Sequence, residues 1–364
     1  MIARPALVAL LGLAMAPAAV AAAPSEETWL VSAVSAPRRV SFVGTKEVVF
    51  WSDRGAEAST VEMAHRAPGA VRLEYRPTVG RHRRLVIDDG RQRWQYEPAT
   101  RLVLVAVSSG EDDEALSAGR FRLLLNNYAA TVAGRDSVAG RPAVVLTVRP
   151  RAGRRPWLRL WLDEATALIL RSEHYHADGR LSEMATFTRI DFREPEPGLF
   201  LFTPPAGVTV RHVRPTAAAT LADLPERVGF VPGAPQRLPE GFILDRVRLG
   251  GTAALPVAVL QYTDGLAALT LFQRRADSGA RHTLPSGRLV RVGAGEATLG
   301  SRGSASVLHW QNGGVVLTLL GELSSEDLTA IATAIGVEPP PGRLARLGSW
   351  MTLLWHRLAA IFAR

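Results

Sequence analysis

From residue 157 to residue 192 the chain reads WLRLWLDEATALILRSEHYHADGRLSEMATFTRIDF, and apolar and polar positions alternate with a period of two. Leu158, Leu160 and Leu162 fall on one side, with Trp157, Arg159 and Trp161 on the other. That spacing puts a leucine row on a core and a mixed row outward. Asp163-Glu164 ends the run, residues 168–176 form a second strand, Asp178-Gly179 supplies a tight turn, and residues 181–192 form a third. A curved antiparallel meander is expected. Shorter runs of the same kind at 40–51, 60–65, 70–75, 83–87, 91–96, 102–107, 131–138 and 143–149 extend it into a large sheet. Residues 26–36 predict a short helix with Trp29, Leu30 and Val34 on one side, closed by Pro37. Residues 111–128 switch to a helical period. Acidic residues open that segment, and Leu116, Phe121, Leu124, Leu125 and Tyr128 follow, so the helix should pack across the sheet.

From residue 194 to 239 prolines recur and periodicity fades, as in a stiff linker. Short strands then resume at 242–249, 257–262, 266–273, 288–292, 296–299, 306–311 and 315–320, with Asp264-Gly265 and Asn312-Gly313 as hairpin turns. Ser324 followed by Glu326 and Asp327 opens a helix reaching to about residue 335. The expected organisation is a leader at 1–23, an antiparallel domain at 24–210 with helices on one side, a linker at 211–236, a smaller α+β domain at 237–336, and a proline spacer with a final helix at 337–364.

Composition changes the picture in three places. Residues 1–23 have a short basic start at Arg4, an apolar run and alanines before Pro24, the layout of a cleavable signal peptide, so the chain is expected in the periplasm. The chain has no cysteine, which excludes disulfides, thiol chemistry and a lipidated anchor. The net charge of +9 rests on arginine, since Lys46 is the only lysine. Guanidinium groups suit anionic lipid or lipopolysaccharide phosphates, while a GC-rich coding sequence produces the same bias without a ligand; export argues against nucleic acid as a partner.

No phosphate loop, nucleophile elbow or zinc-protease motif appears, so neither catalytic nor metal-binding residues nor a cofactor is assigned. His174 and His176 lie two apart on one strand face, a spacing open to a metal but also to hydrogen-bonded sheet histidines beside Glu173 and Asp178. The tail carries Leu344, Leu347, Trp350, Met351, Leu354, Leu358 and Ile361 at helical spacing, with Trp355 adjacent and Arg343, Arg346, His356, Arg357 and Arg364 as basic positions. Leu347, Trp350, Leu354, Trp355 and Leu358 are the candidate membrane or partner contacts. The segment is too short and interrupted to span a bilayer, so it lies on a membrane surface, docks in a groove or folds back on the C-terminal domain.

The strand leading to His65, the segment Trp94-Gln95-Tyr96-Glu97-Pro98, and Trp161-Leu162-Asp163 followed by the Asp178-Gly179 turn resemble the RseB/MucB family of periplasmic sigma-factor regulators. The second half resembles it more specifically, through Leu238-Pro239-Glu240-Gly241-Phe242, Tyr262-Thr263-Asp264-Gly265-Leu266 and Gly321-Glu322-Leu323 in that order. The resemblance implies an α+β protein whose first domain is a LolA-like open antiparallel β-barrel with covering helices. It also implies a non-enzymatic regulator in the envelope stress response that binds the periplasmic part of an anti-sigma factor and senses a lipid or lipopolysaccharide acyl chain. A LolA-like periplasmic lipid or lipoprotein carrier is the alternative, although a carrier needs only the first domain. Phe121, Leu124, Leu125 and Tyr128 on the covering helix, facing Leu158, Leu160 and Leu162, form the candidate lipid cavity. A packed core without a cavity would use the same seven residues.

Overall fold

The computed structural model describes residues 24–52, 55–79, 83–108, 113–153, 155–213, 216–276, 287–293, 295–302, 305–312, 314–321 and 323–336. The leader at 1–23 and the tail with its five candidate contacts lie outside them.

Helix α1 (Glu26–Ser35) starts where the Ser25 hydroxyl accepts from the Thr28 amide at 3.2 Å. The first sheet then builds by hairpins through β1 (Phe42–Ser52), β2 (Gly55–Arg66), β3 (Ala70–Val79), β4 (Arg84–Asp88), β5 (Gln92–Glu97) and β6 (Leu102–Val107). Helix α2 (Asp113–Asn127) interrupts it before β7 (Tyr128–Val138), β8 (Arg141–Pro150), β9 (Trp157–Asp163), β10 (Ile169–Tyr175) and β11 (Leu181–Asp191). The twelfth strand, β12 (Thr209–His212), adds to β6 in parallel, and the order is β12-β6-β5-β4-β3-β2-β1-β11-β10-β9-β8-β7. The two end strands do not pair with each other, so the sheet is open, which is the LolA-like arrangement expected.

The second sheet contains β13 (Ala217–Ala218), β14 (Ile243–Gly251), β15 (Pro256–Thr263), β16 (Ala268–Arg275), β17 (Arg288–Val292), β18 (Gly295–Arg302), β19 (Ala305–Asn312) and β20 (Val315–Gly321). Its order is β13-β14-β15-β16-β20-β19-β18-β17. A short helix α3 (Leu224–Val228) and the longer α4 (Ser325–Ile335) pack on it. Ser324 caps α4 by accepting from the Asp327 amide, and Leu328, Ile331 and Ala332 go into a core with Leu260, Leu271, Leu308 and Leu319. The stretch expected as a linker thus carries β13 and α3, both attached to the second sheet. In that stretch Leu224 and Val228 are buried.

Three local expectations differ from the structure. Leu30 and Ala33, not Val34, are the buried face of α1; Val34, although four residues from Leu30, is 60% exposed. The mixed row of β9 does not face water. Trp157 stacks at 3.7 Å on Tyr175 with Arg149 over it, and Trp161 lies under Arg171, so aromatic and guanidinium planes cover each other. Finally, the alternation of β11 breaks at a bulge where Thr45 pairs with Arg189 but Lys46 pairs with Phe187. The extra residue brings Phe187 and Ile190 into one cluster with Phe42 and Met63.

Candidate binding site

Leu158, Leu160 and Leu162 meet both helices. They share a cluster with Leu30 and Ala33 of α1 and with Phe121, Leu124 and Leu125 of α2. Tyr128, expected on the helix, is instead the first residue of β7, because α2 ends at Asn127; it still joins this cluster and is buried. All seven candidate residues therefore lie together. Leu162 and Tyr128 are fully enclosed, while Phe121, Leu124, Leu125 and Leu158 are partly buried. An apolar layer with partly open edges can take up more apolar surface at about 25 cal/mol per Å².

The same face continues away from the helices. Leu160 pairs with Ser172, Ser172 with Ala185, and Phe187 lies two residues on, beside Lys46 of β1. Lys46 places its Nζ 4.2 Å from the centre of the Phe187 ring. Burial pulls its pKa from 10.5 down to about 8, and the nearby Glu183 carboxylate only partly opposes this. Composition had marked Lys46 as the sole lysine, but not as a cation on an apolar floor. Its position in an apolar, β-branched strand was the available signal.

A second feature joins the domains. In the turn after β15, the Asp264 Oδ1 accepts from the amides of Leu266 and Ala267 at 2.9 and 2.7 Å, which fixes the turn locally. Its Oδ2 accepts from the Tyr128 hydroxyl at 2.5 Å, and its backbone carbonyl from Asn127 Nδ2 at 2.7 Å. Asp264 is fully buried, and burial, followed by the Asp264 charge, holds the Tyr128 phenol well above its ordinary pKa. Gly265 has φ +102°, and a Cβ there would meet Leu124 Cα at 2.6 Å, so only glycine lets the turn approach α2 this closely. Leu266 enters the leucine cluster. Two ion pairs flank the turn: Arg120 of α2 donates twice to Asp245 Oδ2, at 2.7 and 3.1 Å, and Arg155 Nε lies 3.9 Å from Glu240. This seam was invisible in the sequence, where Asp264-Gly265 reads as an ordinary hairpin turn.

His174 lies on β10 opposite Glu183, and His176 receives no strand position. Among the described residues no group of three His, Asp or Glu side chains could hold a metal ion, and no helix is long and apolar enough to cross a membrane.

The sequence profile of the MucB/RseB N-terminal domain matches residues 25–214, from the cap of α1 to just past β12. The chain belongs to the MucB/RseB family. The sigma factor AlgU regulatory protein MucB of Pseudomonas aeruginosa is 30% identical over 345 residues, covering 92% of this chain and 96% of that relative. A crystal structure of MucB in complex with MucA(peri) aligns at a TM-score of 0.56 with 26% identity, over 85% of this chain and 97% of that one. The Pseudomonas aeruginosa MucA/MucB complex aligns at 0.55 with 27% identity, over 87% and 99%. The MucB/RseB likeness therefore spans both sheets and the seam between them.

Proposed function

We propose that this chain is an exported regulatory protein of the periplasm that binds the periplasmic part of an anti-sigma factor and responds to lipid or envelope stress. The observation that carries this reading is the extent of the match: it covers 96% of a sigma-factor regulator, including the second domain. A LolA-like carrier needs only the first. Phe121, Leu124, Leu125, Tyr128, Leu158, Leu160 and Leu162 form the apolar layer into which an acyl chain would insert.

The seam supplies the coupling. An acyl chain entering beside Leu124 and Leu125 pushes on α2, and the end of α2 leads into the Asn127 and Tyr128 contacts that hold the second domain. Lipid and partner then compete through the angle between domains. In this reading the tail, with Leu347, Trp350, Leu354, Trp355 and Leu358, is a peripheral membrane contact.

The test uses purified mature protein. It should bind a synthetic periplasmic segment of the anti-sigma factor encoded beside its gene, measured by calorimetry, and lipid extraction followed by mass spectrometry should recover acyl chains. A protein that holds neither at micromolar concentrations is not this regulator. Recovery of lipid without any binding of the segment favours the carrier.

A further inference from the structure

The face of the first sheet opposite the leucine row bears a crevice of about 360 Å³ that the proposed function leaves unused. Cross-strand pairs define it. Val43 pairs with Ala64 and Asp191, Thr45 with Glu62 and Arg189, Ala64 with Arg72, and Glu62 with Glu74, so these side chains share one face. A short strap at Pro197–Phe200 closes one side. Phe200 is buried against Ala64 and Ala70 with Arg66 over its ring, and Arg72 donates to the Leu199 carbonyl at 3.4 Å.

The charges are unevenly engaged. Glu62 and Glu74 are both held from the rim by Arg76, and Glu74 also by Arg83 at 2.5 Å. That Arg83 bond, opposed in part by burial and helped by the charges of Arg76 and Arg72, keeps the Glu74 carboxyl below its ordinary range. Asp191 pairs with Arg193 at 3.0 Å. Arg189 lines the wall between them, and none of the ion pairs made by Glu62, Glu74 and Asp191 among the described residues involves it. The crevice therefore has its carboxylates already answered, Arg72 also lying 3.7 Å from Glu74, and the Arg189 guanidinium is left for a ligand. Val43, Ala64 and Leu199 offer apolar surface next to that guanidinium.

We infer that this crevice is a binding site for a carboxylate carried on a short apolar arm, with Arg189 as the principal anchor. A planar guanidinium matches a carboxylate in fork geometry, and the apolar wall takes the arm. A free dicarboxylate and a glutamyl side chain of a peptide present this same chemistry. The site does not depend on the anti-sigma reading, since it faces away from the helices and the seam.

Two probes distinguish the sources: glutarate, and the blocked dipeptide N-acetyl-Leu-Glu-amide with its Gln counterpart as control. Titrations into the intact chain, followed by backbone amide shifts, should perturb Val43, Thr45 and Ala64 with glutarate, with the Glu peptide, or with both. The Gln peptide should bind at least roughly tenfold more weakly, as for loss of a charge-assisted bond. Arg189→Ala should remove the response with an unchanged circular dichroism spectrum, and Arg189→Lys should restore part of it. Binding of glutarate alone assigns a free organic acid, and binding of the peptide alone a polypeptide. No response to either acid at millimolar concentrations overturns the inference, as do shifts elsewhere on the protein or equal binding by Arg189→Ala.

Discussion

One ammonium group stands among many guanidiniums, and its surroundings penalise its charge. Lys46 lies against Phe187, and burial lowers its pKa to about 8 while an unfolded lysine titrates near 10.5. Below pH 8 both states are protonated, and the native state bears the full cost of the buried charge. Between about pH 8 and 10.5 the unfolded chain binds more protons than the native one, so this group makes stability rise with pH across that window. Lys46→Met keeps the length of the stem and removes the charge. It should raise the melting temperature at pH 7 by a few degrees, corresponding to about 1 kcal/mol, and the gain over wild type should shrink as pH passes from 8 to 10. Thermal denaturation at several pH values checks this; a gain that stays constant across the window means the cation is not the source.

At the scale of one turn, Thr263 to Leu266 decides how the two domains meet. Gly265→Ala places a methyl group against the backbone of α2 in a left-handed conformation, and should cost about 2 kcal/mol or more. Tyr128→Phe leaves the buried Asp264 carboxylate short of one donor, at about 1–3 kcal/mol. Both should lower the urea midpoint and increase protease cleavage between residues 193 and 237 without altering the strand signal in circular dichroism. A cleavage pattern identical to wild type means that the seam does not hold the domains. Most strands were legible, because a buried face forces apolar residues to alternate: β6 and β17 were placed to the residue and most others within three, whereas β12 and β13, exposed along their length, carry no such signal. The seam was not legible. Tyr128 and Asp264 are separated by 136 positions, and the turn chemistry of Asp264-Gly265 is the same whether the turn faces water or a helix. Nor was the bulge at Phe187, which depends on pairing with β1, or the burial of Trp157 and Trp161, which comes from arginines on neighbouring strands.

Over the whole molecule, the proposed export, the charge and the tail bear on one another. A chain with net charge +9 approaches an anionic membrane favourably, but diffuse charge is screened within about 8 Å at physiological salt. Stable residence needs apolar insertion as well, and the proposed interfacial segment carries both, with two tryptophans among its leucines and arginines at 343, 346, 357 and 364. Each arginine near an anionic surface contributes on the order of 1 kcal/mol, and the apolar stripe adds to this. Removing residues 343–364 from the mature chain should therefore weaken binding to phosphatidylglycerol-containing vesicles by roughly tenfold or more. Binding to neutral vesicles should change less, and calorimetric affinity for the anti-sigma segment should stay within about threefold. Sedimentation of the chain with vesicles, at low and physiological salt, separates these terms. If the truncated chain sediments as the full one does, the guanidinium-rich surfaces of the folded domains provide the attraction and the tail is no membrane contact. If partner affinity falls while vesicle binding holds, the tail docks on the partner instead, and its apolar stripe then belongs to a protein groove.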